Sequence, residues 1–152
     1  MKEIYTVSSY IFKDDECLLI YRNKKKNDIN QGKYIGVGGH IEEGETPLEA
    51  IIREIKEETS LDVIDISYRG LIHFNFDEFI EHMYLYTVSK FNGEVVQCDE
   101  GTLYWVKINE FKNLPMWEGD KYFVKSILDN EVDFEYQFVY EKDVLLSYKR
   151  IK

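Results

Sequence analysis

Short blocks of β-branched and aromatic residues recur along most of the chain, separated by polar, turn-forming segments, and this pattern is typical of β-strands. The predicted strands cover 3–12, 17–22, 34–37, 62–76, 81–91, 102–106, 133–140 and 144–151. The polar segments 13–16 and 141–143 predict hairpins between the strands on either side of them. Asn92-Gly93 predicts a third hairpin, and Gly70 is a position where the longest strand is expected to bend.

A helical period replaces the strand pattern at residues 46–59. Thr46 is a suitable N-cap, Pro47 suits the first helical position, and Glu49 completes a capping box. Apolar side chains then recur at helical spacing and predict one buried stripe. This stripe consists of Leu48, Ile51, Ile52 and Ile55.

After the central strands, residues 108–112 are expected to form a short helix or a turn. Residues 119–129 have helical character, with Phe123, Ile127 and Leu128 facing inward. Strands in this number, interrupted by helices, predict an α/β fold in which helices pack on a mixed sheet. The sequence contains no internal repeat or linker, so residues 1–152 are expected to form one domain.

Three glutamates share one face of the first predicted helix, next to its apolar stripe: Glu54, Glu57 and Glu58. Like charges three or four residues apart destabilise a helix by roughly 0.2–0.5 kcal/mol per pair. Lys56 points away from these carboxylates, and Arg53 lies at their edge. Hard oxygen ligands suit Mg²⁺, with Mn²⁺ as an alternative, although an acidic surface helix would show the same pattern.

Composition excludes several classes of protein. The chain of 152 residues has a net charge of −10, which argues against binding long nucleic acid through its backbone. No apolar run approaches the roughly 20 residues that span a membrane.

Cys17 and Cys98 are expected to be reduced thiols in a cytoplasmic protein. His73 and His82 are expected to be packed or hydrogen-bonded rather than zinc ligands. Oligomeric state stays open.

The loop between strand and helix also contains candidate ligand-binding positions. Gly38 and Gly39 predict either a tight turn or a close approach of backbone, metal or phosphate. Arg22 ends the second predicted strand, and its guanidinium can bind phosphate through two parallel hydrogen bonds. The run Lys24-Lys25-Lys26 is expected to be a solvated loop tip.

The spacing of residues 39–61 resembles the Nudix box, whose pattern is G-x5-E-x7-R-E-U-x-E-E-x-G-U, with U an aliphatic residue. The matched residues are Gly39, Glu45, Arg53, Glu54, Ile55, Glu57, Glu58 and Leu61. Ser60 departs from the glycine of the pattern. This position follows the helix and is expected to be left-handed, which costs a non-glycine residue roughly 1 kcal/mol.

The Nudix resemblance implies an α/β/α sandwich with a mixed β-sheet over essentially the whole chain, and a small nucleotide as substrate. It implies divalent-metal ligands at Glu54, Glu57, Glu58 and the Gly38 carbonyl. Glu100 could join them, although an ordinary turn acid is the alternative. Glu54 or Glu57 would be the general base, Arg53 would orient these carboxylates, and Glu45 would support the loop and helix.

Substrate choice depends on residues outside the box. The segments GKYIGVGGHIEEGETP, EGTLYWV and WEGDKYF resemble MutT-like 8-oxo-dGTP diphosphatases of the MutX type. This resemblance implies that Trp117 stacks on a purine and that Asp120 accepts hydrogen bonds from its edge. The alternatives are a core aromatic at 117 and a helix N-terminal charge at 120. Gly119 departs from the best-matching pattern, which has an acidic residue there.

The implied activity is metal-dependent hydrolysis of 8-oxo-dGTP to 8-oxo-dGMP and pyrophosphate, a step that keeps oxidised nucleotides out of DNA. One alternative is a Nudix hydrolase with another substrate, such as a general nucleoside triphosphate, an ADP-sugar or a dinucleotide. The second alternative is a nucleotide- or metal-sensing module without turnover. The complete pairs Arg53-Glu54 and Glu57-Glu58 argue against that module.

Overall fold

Nine strands pair into one mixed sheet in the computed structural model, which describes residues 1–152. The strands are β1 Lys2–Lys13, β2 Glu16–Tyr21, β3 Tyr34–Ile35, β4 Val37–His40, β5 Asp62–Asn75, β6 Phe79–Asn92, β7 Thr102–Lys107, β8 Phe134–Glu141 and β9 Val144–Arg150. The helices are α1 Pro47–Thr59 and α2 Glu118–Leu128, with a 3-10 helix at Ile108–Asn113.

The sheet order is β3-β2-β1-β6-β5-β8-β9, while β4 pairs with β1 and β7 pairs with β2. β1 and β6 are parallel, as are β5 and β8, and the other pairs are antiparallel. The predicted mixed sheet is therefore confirmed. The register shifts between Tyr68 and Gly70, where the long strand was expected to bend.

The hairpin predicted at Asn92-Gly93 is wrong. β6 ends at Asn92, but the next strand, β7, pairs with β2 instead, as in Leu18 opposite Trp105. Both edges of β6 are already occupied, by β1 on one side and β5 on the other, so no edge is free for β7. The hairpins joining β1 to β2 and β8 to β9 are confirmed.

Helices cover both faces of the sheet, as expected for an α/β/α sandwich. Alternation along β1 sends Tyr10 into the core that includes α2 and Ile11 into the core that includes α1. The α2 core contains Phe123 and Ile127, and the α1 core contains Ile51 and Ile55. The site described below forms around the N-terminal half of β1, between these layers.

In both helices the buried face differs from the predicted apolar stripe. Leu48 and Ile52 are exposed, whereas Glu58 is buried, so the inward arc of α1 is displaced toward its glutamates. On α2, Phe123 and Ile127 are buried as predicted, but Leu128 is exposed. At about 100° per residue, Leu128 lies some 140° around the helix from Phe123, which places it on the far side.

Candidate active site

Local sequence signals set both ends of α1. The Thr46 hydroxyl accepts a hydrogen bond from the Glu49 N–H (3.1 Å), and the Glu49 carboxylate accepts one from the Thr46 N–H (2.9 Å). Ser60 is left-handed at φ 69°, and its N–H donates to the Lys56 carbonyl. The predicted capping box and the predicted conformation at Ser60 are both confirmed.

The two glycines before α1 permit close packing rather than a tight turn. Both lie in β4, which pairs with β1 so that Gly38 faces Ser8 and Gly39 faces Val7. An added Cβ atom on Gly38 would overlap the Val7 carbonyl, and one on Gly39 would lie 2.6 Å from the Glu54 carboxyl carbon. The close approach predicted from the sequence is confirmed.

Arg53 lies at the centre of the carboxylates rather than at their edge. Its Nε and Nη2 atoms contact the two Glu45 carboxylate oxygens at 2.7 and 2.9 Å, a bidentate pair. Its Nη1 donates to Glu54 (2.9 Å) and Glu57 (3.2 Å), while Nη2 also donates to the His40 carbonyl (3.1 Å). Hydrogen bonding to Glu45 is the main cause of a raised Arg53 pKa. One guanidinium thus joins the loop to the helix.

Glu58 is a buried carboxyl with an unsatisfied oxygen. Its Oε2 atom has no hydrogen-bond partner, and the residue is 7% exposed. Burial is the main cause that raises the Glu58 pKa to about 8, and the charges of Glu54 and Glu100 raise it further. Burial also raises the Glu54 pKa, against the opposing effect of Arg53. These carboxyls therefore lie where a bound cation would lower their free energy most.

The residues present fit a divalent cation by chemistry, but they are not preassembled around it. The structure contains no group of three or more His, Cys, Asp or Glu side chains already arranged to hold a metal ion. Arg53 holds Glu54 and Glu57, and other cationic residues hold Glu100. The unpartnered, buried oxygen of Glu58 is the position that a hard cation would satisfy.

Glu100 connects two loops at the mouth of the site. Its carboxylate contacts Lys25 at 2.8 Å and Arg22 at 3.5 Å, and Arg22 also contacts Asp28 at 2.8 Å. Lys24 donates to a backbone carbonyl in the second loop at 2.8 Å. Lys24 and Lys25 are exposed, as predicted for a solvated loop, yet both are held by these contacts.

One cavity of about 860 Å³ joins the carboxylates to an aromatic pocket, and this size suits a small-molecule ligand. Its charged end is lined by Gly38, Gly39, Glu54, Glu57, Glu58, Arg22, Lys25 and Glu100. Its aromatic end is lined by Tyr10, Phe74, Phe76, Phe79, Trp117 and Phe123, together with Glu81 and Asp120. The structure therefore brings together most of the residues singled out in the sequence.

Trp117 belongs to the core and also lines the cavity. It packs edge-on against Phe76 and Tyr140, with ring centroids 5.6 and 5.0 Å away. Its indole N–H donates to the Asn30 side chain at 2.7 Å, and the Lys33 ammonium lies 4.5 Å from the ring centroid. The two interpretations of Trp117 are thus compatible, since one ring serves both surroundings.

Asp120 is buried in the first turn of α2 and lines the same cavity. Burial raises its pKa well above the ordinary value, and the charge of Glu81 raises it further. A helix N-terminus stabilises only the charged form of a carboxyl, and burial disfavours that form at Asp120. Gly119 packs against Tyr140 and Phe138, so a longer side chain has no room there.

Sequence reasoning missed Glu81, Asn30 and the aromatic pair Phe76 and Phe79, all of which line the cavity. Alternation along β6 could have identified Glu81, because Glu81 and Met83 lie on the same face of the strand and that face is otherwise apolar. No local pattern marks Asn30, which lies in an irregular loop.

The hydrogen bonding expected of His73 and His82 and the unpaired thiols expected of the two cysteines are confirmed. His73 and His82 contact each other through their Nδ1 atoms at 2.7 Å, and each contacts a glutamate through Nε2. Both lie outside the cavity. Cys17 and Cys98 are free thiols.

Most of the chain matches a known protein family. Residues 2–127 match the NUDIX domain family, so the chain belongs to that family and is a Nudix hydrolase. Nudix hydrolases generally use divalent metal ions such as Mg²⁺. None of the helices has the length and apolar character needed to cross a membrane.

Particular relatives narrow the comparison. The chain is 28% identical to the Nudix hydrolase YvcI of Bacillus subtilis over 143 residues, covering 90% of this chain and 87% of that protein. It is 27% identical to the oxidized purine nucleoside triphosphate hydrolase of Mus musculus over 129 residues, 82% of this chain and 81% of that one. The Mutator MutT protein from Bacillus halodurans has a similar structure, with a TM-score of 0.88, 29% identity and 97% coverage of each chain.

Proposed function

We propose that this Nudix hydrolase is a metal-dependent nucleoside triphosphate pyrophosphohydrolase of the MutX type, acting in the cytoplasm on 8-oxo-dGTP as a single domain of residues 1–152. The observation that carries the proposal is the single cavity that connects the glutamates of α1 to an aromatic pocket with a buried acid. Similarity to the mouse hydrolase of oxidized purine nucleoside triphosphates supports this choice of substrate.

The cavity's charged end would bind a divalent ion, Mg²⁺ or alternatively Mn²⁺. The proposed ligands are the carboxylates of Glu54, Glu57, Glu58 and Glu100, with the Gly38 carbonyl. Support comes from Glu58, whose unpartnered oxygen a cation would coordinate, and from Glu54, whose pKa is raised by burial. A bound cation would stabilise the charged form of both carboxyls. Such an ion, when bound, neutralises phosphate charge and activates a water molecule.

Arg53 and Glu45 would keep the catalytic carboxylates oriented. The bidentate contact fixes the guanidinium, whose Nη1 then holds Glu54 and Glu57. Either glutamate could accept a proton from the attacking water.

Arg22 and Lys25 would bind the polyphosphate. Both line the cavity and contact Glu100, and Arg22 is also paired with Asp28. If Glu100 turned toward a cation, both positive groups would become available to phosphate oxygens. The guanidinium of Arg22 can contact two of these oxygens at once.

At the other end, Trp117 would stack on the base while Asp120 contacts its edge. Indole N–H donation to Asn30 and the aromatic contacts of Trp117 hold its ring in place. A rigid aromatic surface binds any purine face, so discrimination between bases must come from polar groups at the ring edge.

The products of hydrolysis test this proposal. The purified protein is incubated with Mg²⁺ and, separately, with 8-oxo-dGTP, the ordinary nucleoside triphosphates and ADP-ribose, in ¹⁸O-labelled water. We expect 8-oxo-dGTP to be preferred and to yield the monophosphate and pyrophosphate. Nucleoside diphosphate with orthophosphate would contradict the reaction, preference for ADP-ribose would contradict the substrate, and binding without turnover would indicate a sensing module.

A further inference from the structure

We infer that Glu81 is a second base-reading residue, which acts with Asp120 to bind a purine edge that carries a hydrogen-bond donor beside an acceptor. This inference deepens the proposed function and rests on it for the nucleotide character of the ligand. It concerns the aromatic end of the cavity, where both carboxyls form part of the wall.

Glu81 is placed by the pairing of three strands. It lies on β6 opposite Phe74 of β5 and beside Ile4 of β1. Its Oε2 atom accepts a hydrogen bond from the Thr6 hydroxyl at 2.6 Å, which orients the carboxyl. Three strands and a hydroxyl therefore fix a polar group in a wall that is otherwise largely aromatic.

No ion pair of the structure includes Glu81 or Asp120. Without such a contact, His40 and His82 lower the pKa of Glu81, and Lys33 lowers that of Asp120. Asp120 is buried and Glu81 is half-buried. Carboxyls removed from water without ion-pair partners destabilise a fold, and such groups in a cavity are characteristic of ligand-binding sites. Stability alone does not explain their presence here.

The surroundings divide the two carboxyls into an acceptor and a donor. Burial raises the pKa of each, but the Thr6 hydroxyl and the two histidines lower that of Glu81. The charge of Glu81 in turn raises the pKa of Asp120 further. The hydrogen bond from Thr6 thus favours the ionised, accepting form at Glu81, whereas burial and the charge of Glu81 favour the protonated form at Asp120, which can donate a hydrogen bond.

An acceptor at Glu81 and a donor at Asp120 match the edge of 8-oxoguanine but not the corresponding edge of guanine. The guanine edge with N7 and O6 offers two acceptors, which an ionised Glu81 would repel. In 8-oxoguanine the N7 position carries a hydrogen, so the same edge offers a donor beside the O6 acceptor. Glu81 would accept from N7–H and Asp120 would donate to O6, which moves the acceptor role expected at Asp120 to Glu81.

Binding of nucleoside monophosphates tests the inference without catalysis. Calorimetry in metal-free buffer compares 8-oxo-dGMP, dGMP and dCMP with the wild-type protein and with Glu81→Gln, a change that keeps size and removes charge. We expect the variant to bind 8-oxo-dGMP at least roughly tenfold more weakly, because the charged acceptor for its N7–H group is lost. Binding of dCMP should change by less than about threefold.

Glu78→Gln is the matched control, because Glu78 is exposed in the turn between β5 and β6. It should leave all three affinities unchanged. The double variant Asp120→Asn with Glu81→Gln should lose less affinity for 8-oxo-dGMP than the product of the two single fold-losses. This is the expected result for groups that act on one ligand edge. Thr6→Val keeps the carboxyl but removes its orienting hydroxyl, so it should lower the 8-oxo-dGMP preference partially.

The inference is overturned if Glu81→Gln keeps the wild-type ratio of affinities for 8-oxo-dGMP and dGMP while its thermal unfolding shows an intact fold. Should that variant fail to fold, an unchanged ratio in Thr6→Val overturns the inference instead. Pyrophosphate release from 8-oxo-dGTP is measured separately. If Glu81→Gln releases pyrophosphate with an unchanged preference for 8-oxo-dGTP over dGTP, only the role of Glu81 is refuted. If the wild-type protein releases no pyrophosphate, the proposed function is refuted.

Discussion

The Glu54 carboxylate lies directly against the backbone of Gly39, so that a Cβ atom at residue 39 would approach its carboxyl carbon and Oε1 atom to 2.6 Å. Gly39 belongs to β4 and Glu54 to the second turn of α1. This contact gives a physical reason for glycine at the first position of the box: the strand must approach the helix closely enough to leave no space for a side chain.

Gly39→Ala should therefore displace Glu54 and lower kcat by at least about tenfold, equivalent to roughly 1.4 kcal/mol in the barrier. Steady-state kinetics with Mg²⁺ measure this effect. Gly93→Ala is the control, because Gly93 has a positive φ of 98° but does not contact Glu54. It should lower thermal stability through backbone strain while leaving kcat unchanged. Equal kcat values in both variants would contradict the importance of the contact.

Activity should require a divalent cation bound by the α1 carboxylates. Glu57→Gln removes an exposed charge without disturbing the core, so the fold should persist while turnover falls at least about tenfold. Turnover is measured across a Mg²⁺ titration for the variant and for Glu43→Gln, a control at an exposed loop glutamate with no ion pair. Full Mg²⁺-dependent activity in Glu57→Gln would remove Glu57 from the metal site.

Glu58 should make the metal-free protein less stable as pH rises. Its pKa is about 8 in the folded state against an ordinary value of about 4.5, so the folded protein binds the additional proton between these values. The stabilisation is complete below about pH 4.5 and is lost as pH rises toward 8. Glu58→Gln cannot ionise and should lack this dependence.

Urea unfolding in a chelator at several pH values checks this expectation. The difference in free energy of unfolding between Glu58→Gln and the wild type should grow in favour of the variant from about pH 5 to 8. Addition of Mg²⁺ at pH 8 should stabilise the wild type more than the variant, because the cation favours the ionised carboxylate. Parallel pH profiles for the two proteins would show that Glu58 is not the titrating group.

Trp117 should affect all purine nucleotides alike, whereas Asp120 should affect their ratio. Trp117→Ala removes a stacking surface of about 1–3 kcal/mol per base and should raise KM for 8-oxo-dGTP and dGTP together. Asp120→Ala should change the ratio of kcat/KM for these two substrates, because only 8-oxo-dGTP can place O6 against Asp120 while its N7–H contacts Glu81. Trp117→Phe, which keeps an aromatic face, is the control for lost core packing. Unchanged kinetics in Trp117→Ala would restrict that residue to the core.

The helix boundaries of the site could be predicted from sequence because their contacts are short. Thr46 and Glu49 are three residues apart and bond each other, and Ser60 bonds Lys56 four residues back. Backbone geometry alone brings such residues together. The strand positions were also predictable, since alternation of apolar residues depends only on the chain's own period.

Pairing of those strands depended on the tertiary structure. β7 joins β2 because both edges of β6 are occupied, a competition that no local pattern records. The buried face of α1 also differs from the sequence prediction, because Leu48 and Ile52 are exposed whereas Glu58 is buried. Hydrophobic spacing predicts that a helix has a buried face, but the neighbouring strands decide its rotation.

The family pattern, the helix that carries the glutamates and the approximate strands follow from the amino-acid sequence, because each depends on residues close together in the chain. The composition of the cavity depends on the folded structure. Thr6 and Glu81 are 75 positions apart, and Asn30 and Trp117 are 87 apart. Such contacts arise only when strand pairing and helix packing close long loops, so the acid beside Asp120 could be identified only in the folded protein.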